Sequence, residues 1–68
     1  MMNVYEDERG WLFKVMPGLG VDTYKARYKK PEASGWHCVA RLPWRSTAIA
    51  AQEDLDEYAR RKGWRQIS

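Results

Sequence analysis

The chain has 68 residues, 44% hydrophobic and 31% charged, with a formal net charge of +3; this allows one domain with a thin core, because a fold of this size buries only about 60% of the surface its unfolded chain exposes. Four tryptophans among nine aromatic residues provide enough apolar area to offset the entropy of ordering, which excludes a disordered chain. The single cysteine, Cys38, excludes an internal disulfide and a cysteine-based zinc site and fits a reducing compartment, and no apolar run approaches the ~20 residues of a membrane span.

Residues 1–8 form an acidic segment that includes Glu6, Asp7 and Glu8. An acidic start is unlike the basic start of a signal peptide, so the expectation is a soluble cytoplasmic protein. Residues 9–45 carry eight cations against Asp22 and Glu32, a net +6, whereas residues 46–68 balance four cations with four carboxylates. The positive excess therefore falls between residues 9 and 45.

Three strands are expected in that region, over residues 11–42. The first, Trp11 to Met16, alternates Trp11, Phe13 and Val15 with Leu12, Lys14 and Met16, and ends at the turn residues Pro17-Gly18-Leu19-Gly20. The second, Thr23 to Lys29, alternates Tyr24, Ala26 and Tyr28 with Lys25, Arg27 and Lys29, so one face suits a core and the other an anion. Lys30-Pro31-Glu32-Ala33-Ser34-Gly35 reads as a hairpin loop. The third strand, Trp36 to Leu42, is expected to place Trp36, Cys38, Ala40 and Leu42 in the core and His37, Val39 and Arg41 on the opposite face. Short connections favour an antiparallel meander in sequential order.

Pro43-Trp44-Arg45-Ser46 interrupts the strand pattern, and a helix follows over residues 47–62. Ser46 or Thr47 supplies the N-cap, and Gly63 the left-handed position beyond the C-terminus, with Trp64 folding back on Tyr58 or Ala59. Ala48, Ala51, Leu55, Tyr58 and Ala59 form the apolar stripe. Asp56 with Arg60, and Glu57 with Arg61, are i,i+4 pairs on a solvated surface. The expected fold is a single α+β domain of order β-β-β-α, a three-stranded antiparallel sheet packed on one C-terminal helix.

The uncovered face would then carry Lys14, Lys25, Arg27, Lys29, His37 and Arg41 among Leu12, Met16 and Val39, with Arg45 close by. Three readings compete. The cations can contact nucleic acid, neutralising phosphates and reading guanine edges through arginine. Alternatively, two or more copies can pack through Leu12, Met16 and Val39, with the cations lining a pocket for a nucleotide or other anionic metabolite. The third reading is an ordinary solvated surface. Trp44, between Pro43 and Arg45, is the tryptophan best placed to stack on a base or a partner side chain, whereas Trp11 and Trp36 are expected in the core.

Nothing points to catalysis. His37 and Cys38 are adjacent, so a regular strand sends them to opposite faces and they cannot act as a base and nucleophile. Glu53, Asp54, Asp56 and Glu57 sit on a helix surface with no desolvation to separate their roles. Gly18-Leu19-Gly20 is too short for a phosphate-binding loop, and no metal cluster or cofactor motif is visible.

Two resemblances bear on function. The segment Trp44-Arg45, followed by Gln52-Glu53-Asp54-Leu55-Asp56-Glu57-Tyr58-Ala59-Arg60-Arg61-Lys62-Gly63-Trp64, resembles a pattern in small proteins of bacterial phages and prophages, a family that brings no activity or catalytic residues to carry over. It implies a mobile-element setting in a bacterial host and a non-catalytic binding role: a regulator, or an anti-defence inhibitor or sponge that binds a host protein or sequesters a nucleotide signal, as a homo-oligomer. At the level of shape, a three-stranded sheet backed by a helix is similar to the N-terminal arm-binding domains of tyrosine integrases, which implies a sheet face laid against DNA.

Overall fold

A computed structural model describes residues 3–68, so the first two positions of the acidic segment lie outside the described residues. The strands are β1 (Tyr5–Glu6), β2 (Leu12–Pro17), β3 (Tyr24–Lys29), β4 (His37–Cys38) and, after the helix α1 (Ala48–Lys62), β5 (Arg65–Gln66). They form one antiparallel sheet in the order β4-β3-β2-β1-β5, with α1 across one face. The α+β class and the C-terminal helix are as expected, but the sheet has five strands instead of three.

The two additional strands come from the ends of the chain. Tyr5 pairs with Phe13 and with Gln66, and Glu6 pairs with Leu12 and with Arg65. The turn that launches this arrangement is readable: Asp7 accepts the Gly10 N–H at 3.0 Å, and Gly10 has φ 83°, a tight turn with Asp first and Gly last. The Asp7 side chain then receives the backbone N–H groups of Arg9 and Trp11, each at 2.9 Å, and the Arg9 guanidinium at 2.7 Å. Burial pushes the Asp7 carboxyl upward, yet the hydrogen bonds from Arg9 and Trp11 outweigh it and hold the group below its ordinary pKa.

The third expected strand is the largest departure. Only His37–Cys38 pairs with β3, with Tyr28 opposite His37 and Arg27 opposite Cys38. This register is one residue out of phase with the expectation, and because strand side chains alternate, the slip exchanges the faces expected of Trp36, His37, Cys38 and Val39, whereas Leu42 packs against the core as expected. Val39 donates its N–H to Ala26 at 3.0 Å and is buried in the core; the small Ala26 side chain leaves the room that Val39 fills. His37 lies beside Tyr28 on the helix side at 5.6 Å. Trp36, one step earlier, falls opposite Lys29 on the uncovered face, together with Cys38. Ala40 and Arg41 leave the strand in a turn closed by the Leu42 N–H on the Val39 carbonyl at 3.1 Å.

The helix matches its expected limits. Thr47 caps Ala50 N–H at 3.1 Å, Gly63 has φ 75°, and Arg60, Arg61 and Lys62 occupy the last turn, where they oppose the helix dipole. Ala51, Leu55 and Ala59 are buried against Phe13, Val15 and Ala26, and Trp64 returns to stack on Phe13 at 3.9 Å and edge-on to Tyr58 at 5.2 Å. The i,i+4 ion pairs are replaced by other bonds. Asp56 accepts from Tyr5 Oη at 2.6 Å, Gln52 Nε2 at 2.8 Å and Asn3 Nδ2 at 3.2 Å, while Arg60 pairs with Glu57. Asp56 thus ties the first strand to the helix. Burial, followed by the Asp56 hydrogen bond, raises the Tyr5 pKa; Asp56 itself feels burial upward but is lowered on balance by its donors Tyr5, Gln52 and Asn3.

Candidate functional site

The uncovered face of the sheet is a grid whose rows follow from the strand pairing. One row runs Arg65, Glu6, Leu12, Lys29 and Trp36; the next holds Lys14, Arg27 and Cys38; the third holds Met16, Lys25 and Trp44. The last placement follows from the bridge between Tyr24 and Arg45, which puts Trp44 opposite Lys25. Paired backbone bonds, Tyr24 N–H to Arg45 O and Arg45 N–H to Tyr24 O, both 2.8 Å, fix that bridge. The two tryptophans therefore border the same cationic field, separated along β3 by the four residue steps from Lys29 to Lys25, roughly 13 Å at strand rise.

Lys14 lies directly opposite Arg27. Like charges in that position destabilise a sheet, and the neighbouring positions on β3, Lys25 and Lys29, add two more cations. Among the described residues no carboxylate pairs with any of the four. The one acid in the grid, Glu6, is taken by Arg65. The rings substitute only in part: Lys14 Nζ lies 4.7 Å from the Trp36 centroid, and Lys25 Nζ lies 5.3 Å from that of Trp44. Lys25 is 9% exposed, and Arg27 Nε is buried without a hydrogen-bond partner. Cations this enclosed are normally paired.

A groove of about 360 Å³ opens at one corner of the face, lined by Leu19, Gly20, Thr23, Arg27 and Trp44. Its shape depends on the β2–β3 loop. Gly18 donates to Thr23 O at 2.8 Å, and Thr23 Oγ1 donates to Gly20 O at 2.9 Å. A Cβ on Gly18 would come within 2.6 Å of the Trp44 ring, so glycine is required for the indole to lie against the loop. Trp44 nevertheless stays 49% exposed.

The expected site residues divide accordingly. Lys14, Lys25, Arg27 and Lys29 come together, with Leu12 and Met16 among them and Trp44 at their border. His37 and Val39 do not join them: the register slip carries His37 to the helix side and Val39 into the core, so Val39 is unavailable for self-association. Arg41 stands exposed in the turn beyond β4. Arg45 is occupied by Asp54, through Nε at 2.7 Å and Nη2 at 3.0 Å, and that hydrogen bond raises its pKa further. Trp36 and Cys38 belong to the face although the alternation pattern placed them in the core. Their signal lay in β3: with Val39 beside the small Ala26, the bulky Trp36 must point the other way.

His37 and Cys38 fall on opposite faces, which separates the base from the thiol. Among the described residues no group of three or more His, Cys, Asp or Glu side chains is placed to hold a metal ion, and no helix is long and apolar enough to cross a membrane. Comparison with known proteins finds no matching family, no matching curated protein and no matching solved structure.

Proposed function

We propose that this chain is a small non-enzymatic binding protein of phage type that engages nucleic acid through the open face of its sheet. The observation that carries the reading is the cluster of Lys14, Lys25, Arg27 and Lys29, like charges held side by side on two adjacent strands with no carboxylate partner among the described residues. A fold that keeps such a cluster accepts repulsion that an anion would relieve. The spacing suits a polyanion, since the cations run along the strands in a field instead of converging on one point. Trp36 and Trp44 add flat apolar surfaces at its border, the combination of basic track and aromatic platform that unpaired bases use. Self-association through this face has less support, because burial of Val39 leaves only Leu12 and Met16 of the apolar group that would drive it.

The test is binding of a fluorescently labelled single-stranded oligonucleotide and of a duplex, measured by anisotropy at low salt. Lys14→Glu combined with Lys29→Glu is expected to abolish binding while leaving the thermal transition in place. Unaltered binding by the double variant would place the contact elsewhere and remove this reading.

A further inference from the structure

We infer that the groove beside Trp44 is a subsite for one nucleotide, its base stacked on the indole and its phosphate held by Arg27 and Lys25. This rests on the reading of the open face as a nucleic-acid surface and specifies how one unit of the strand is held. The groove joins an apolar wall, Trp44 with Leu19, to the Arg27 side chain. Its volume of about 360 Å³ lies at the small end of ligand sites, which run from ~300 to ~1,000 Å³.

Two observations specify the anion. Arg27 Nε is buried and makes no hydrogen bond, and Lys25, 9% exposed, has no carboxylate partner among the described residues and sets its ammonium 5.3 Å from the Trp44 ring. A phosphate at the groove edge would give the Arg27 guanidinium and the Lys25 ammonium the anionic partner they lack, and a charge-assisted bond to guanidinium is among the stronger ones available. Two further observations specify the base. Trp44 is half exposed, although a tryptophan serving only the core would be covered. It is also held in place before any ligand arrives: the Tyr24–Arg45 bridge fixes its backbone on one side, the Arg45–Asp54 pair anchors the next residue, and Gly18 provides the seat for the ring. Such preorganisation reduces the ordering cost of binding. Thr23 Oγ1, already engaged as a donor to Gly20, keeps acceptor capacity at the groove wall.

The same chemistry is offered by a free nucleotide and by one residue of a strand, and three probes separate these sources: a ten-residue thymidine oligomer, an abasic deoxyribose-phosphate oligomer of equal length, and thymidine monophosphate. The native protein is expected to bind the thymidine oligomer on the order of tenfold to a hundredfold more tightly than the abasic one, the range of one stacked base. Trp44→Ala is expected to reduce that preference to what Trp36 alone supplies, and Trp44→Phe to keep most of it. Leu19 is fully exposed, so Leu19→Glu, which sets a carboxylate at the groove lip, weakens binding without touching the fold, and it remains informative if Trp44→Ala unfolds. Equal affinity for the two oligomers, or a base preference undiminished by Trp44→Ala, would overturn the subsite and leave the basic face as the contact. Binding of thymidine monophosphate alone, lost in Trp44→Ala, would uphold the subsite and overturn the nucleic-acid reading. Failure of all three probes would overturn both.

Discussion

On the helix side of the sheet, large side chains have neighbours of matching character: Phe13 lies under Trp64, Tyr28 under Trp11, and Leu55 is fully enclosed. On the opposite side, side chains from the same strands are set beside neighbours that repel them, Lys14 facing Arg27 with Lys25 and Lys29 next to both. Each strand contributes to both sides through its two-residue alternation, so strand propensity cannot explain the difference. The helix face is arranged for stability, and the open face accepts a local penalty. Positions where a sequence departs from the locally favourable choice are where function is expected, and here all four departures fall on one surface.

Substitutions on the two faces should therefore behave in opposite ways. Leu55→Ala removes the most enclosed side chain and is expected to cost about 2–5 kcal/mol, read as a drop in the denaturant midpoint, with any loss of ligand binding following only from loss of fold. Asp7→Ala, which strips acceptors from the Arg9 and Trp11 amides, should cost about 1–3 kcal/mol. Gly63→Ala forces a side chain into φ 75° with open space around it, at a cost of about 1–2 kcal/mol.

The open face is expected to show the reverse sign. Lys14→Glu places a carboxylate opposite Arg27 and should stabilise the sheet by about 0.2–1 kcal/mol while weakening ligand binding. A destabilised Lys14→Glu variant would mean that the cations are structural, and the contrast between the faces would fail.

Proton linkage supplies a test on the helix side. Asp7 and Asp56 have pKa values lowered by folding, so their contribution is present above the unfolded carboxylate value of about 3.9 and is lost as pH falls through the folded values. Tyr5 has a raised pKa, so its contribution is complete below about 10 and is lost as pH climbs through the folded value. Melting temperature should be flat near neutrality and fall at both extremes, and Asp7→Asn should shallow the acid limb. An acid limb unchanged in Asp7→Asn would remove Asp7 from its cause.

How far these features could be read from the sequence differed between strong and weak local patterns. The helix was legible to within one residue, because Thr47, the Ala51-Leu55-Ala59 stripe and Gly63 each mark a different part of it and agree. β2 and β3 were legible because their alternation separates apolar from charged groups cleanly. Trp36 to Leu42 was not, since both of its alternating rows contain apolar members, and the register was decided by a tertiary fact, the space beside Ala26. β1 and β5 were missed because two residues carry no periodicity; they pair only because folding brings the two ends together, although the Asp7-to-Gly10 turn signalled the first hairpin. At the candidate site, Lys14, Lys25, Arg27, Lys29 and Trp44 could be named from the chain. Arg45 could not be excluded, because its partner Asp54 lies on the helix.

The most direct measurement of the central claim is the salt dependence of single-stranded oligonucleotide binding. With Lys25 and Arg27 sharing one phosphate and Lys14 and Lys29 each meeting another, log affinity against log salt should fall with a slope of about −2, since single strands contribute about −0.7 per phosphate contact. Lys14→Glu should bring that slope closer to zero by at least one contact. A slope near zero for the native protein, or the same slope in native and Lys14→Glu proteins, would contradict the assignment of the open face as a nucleic-acid surface.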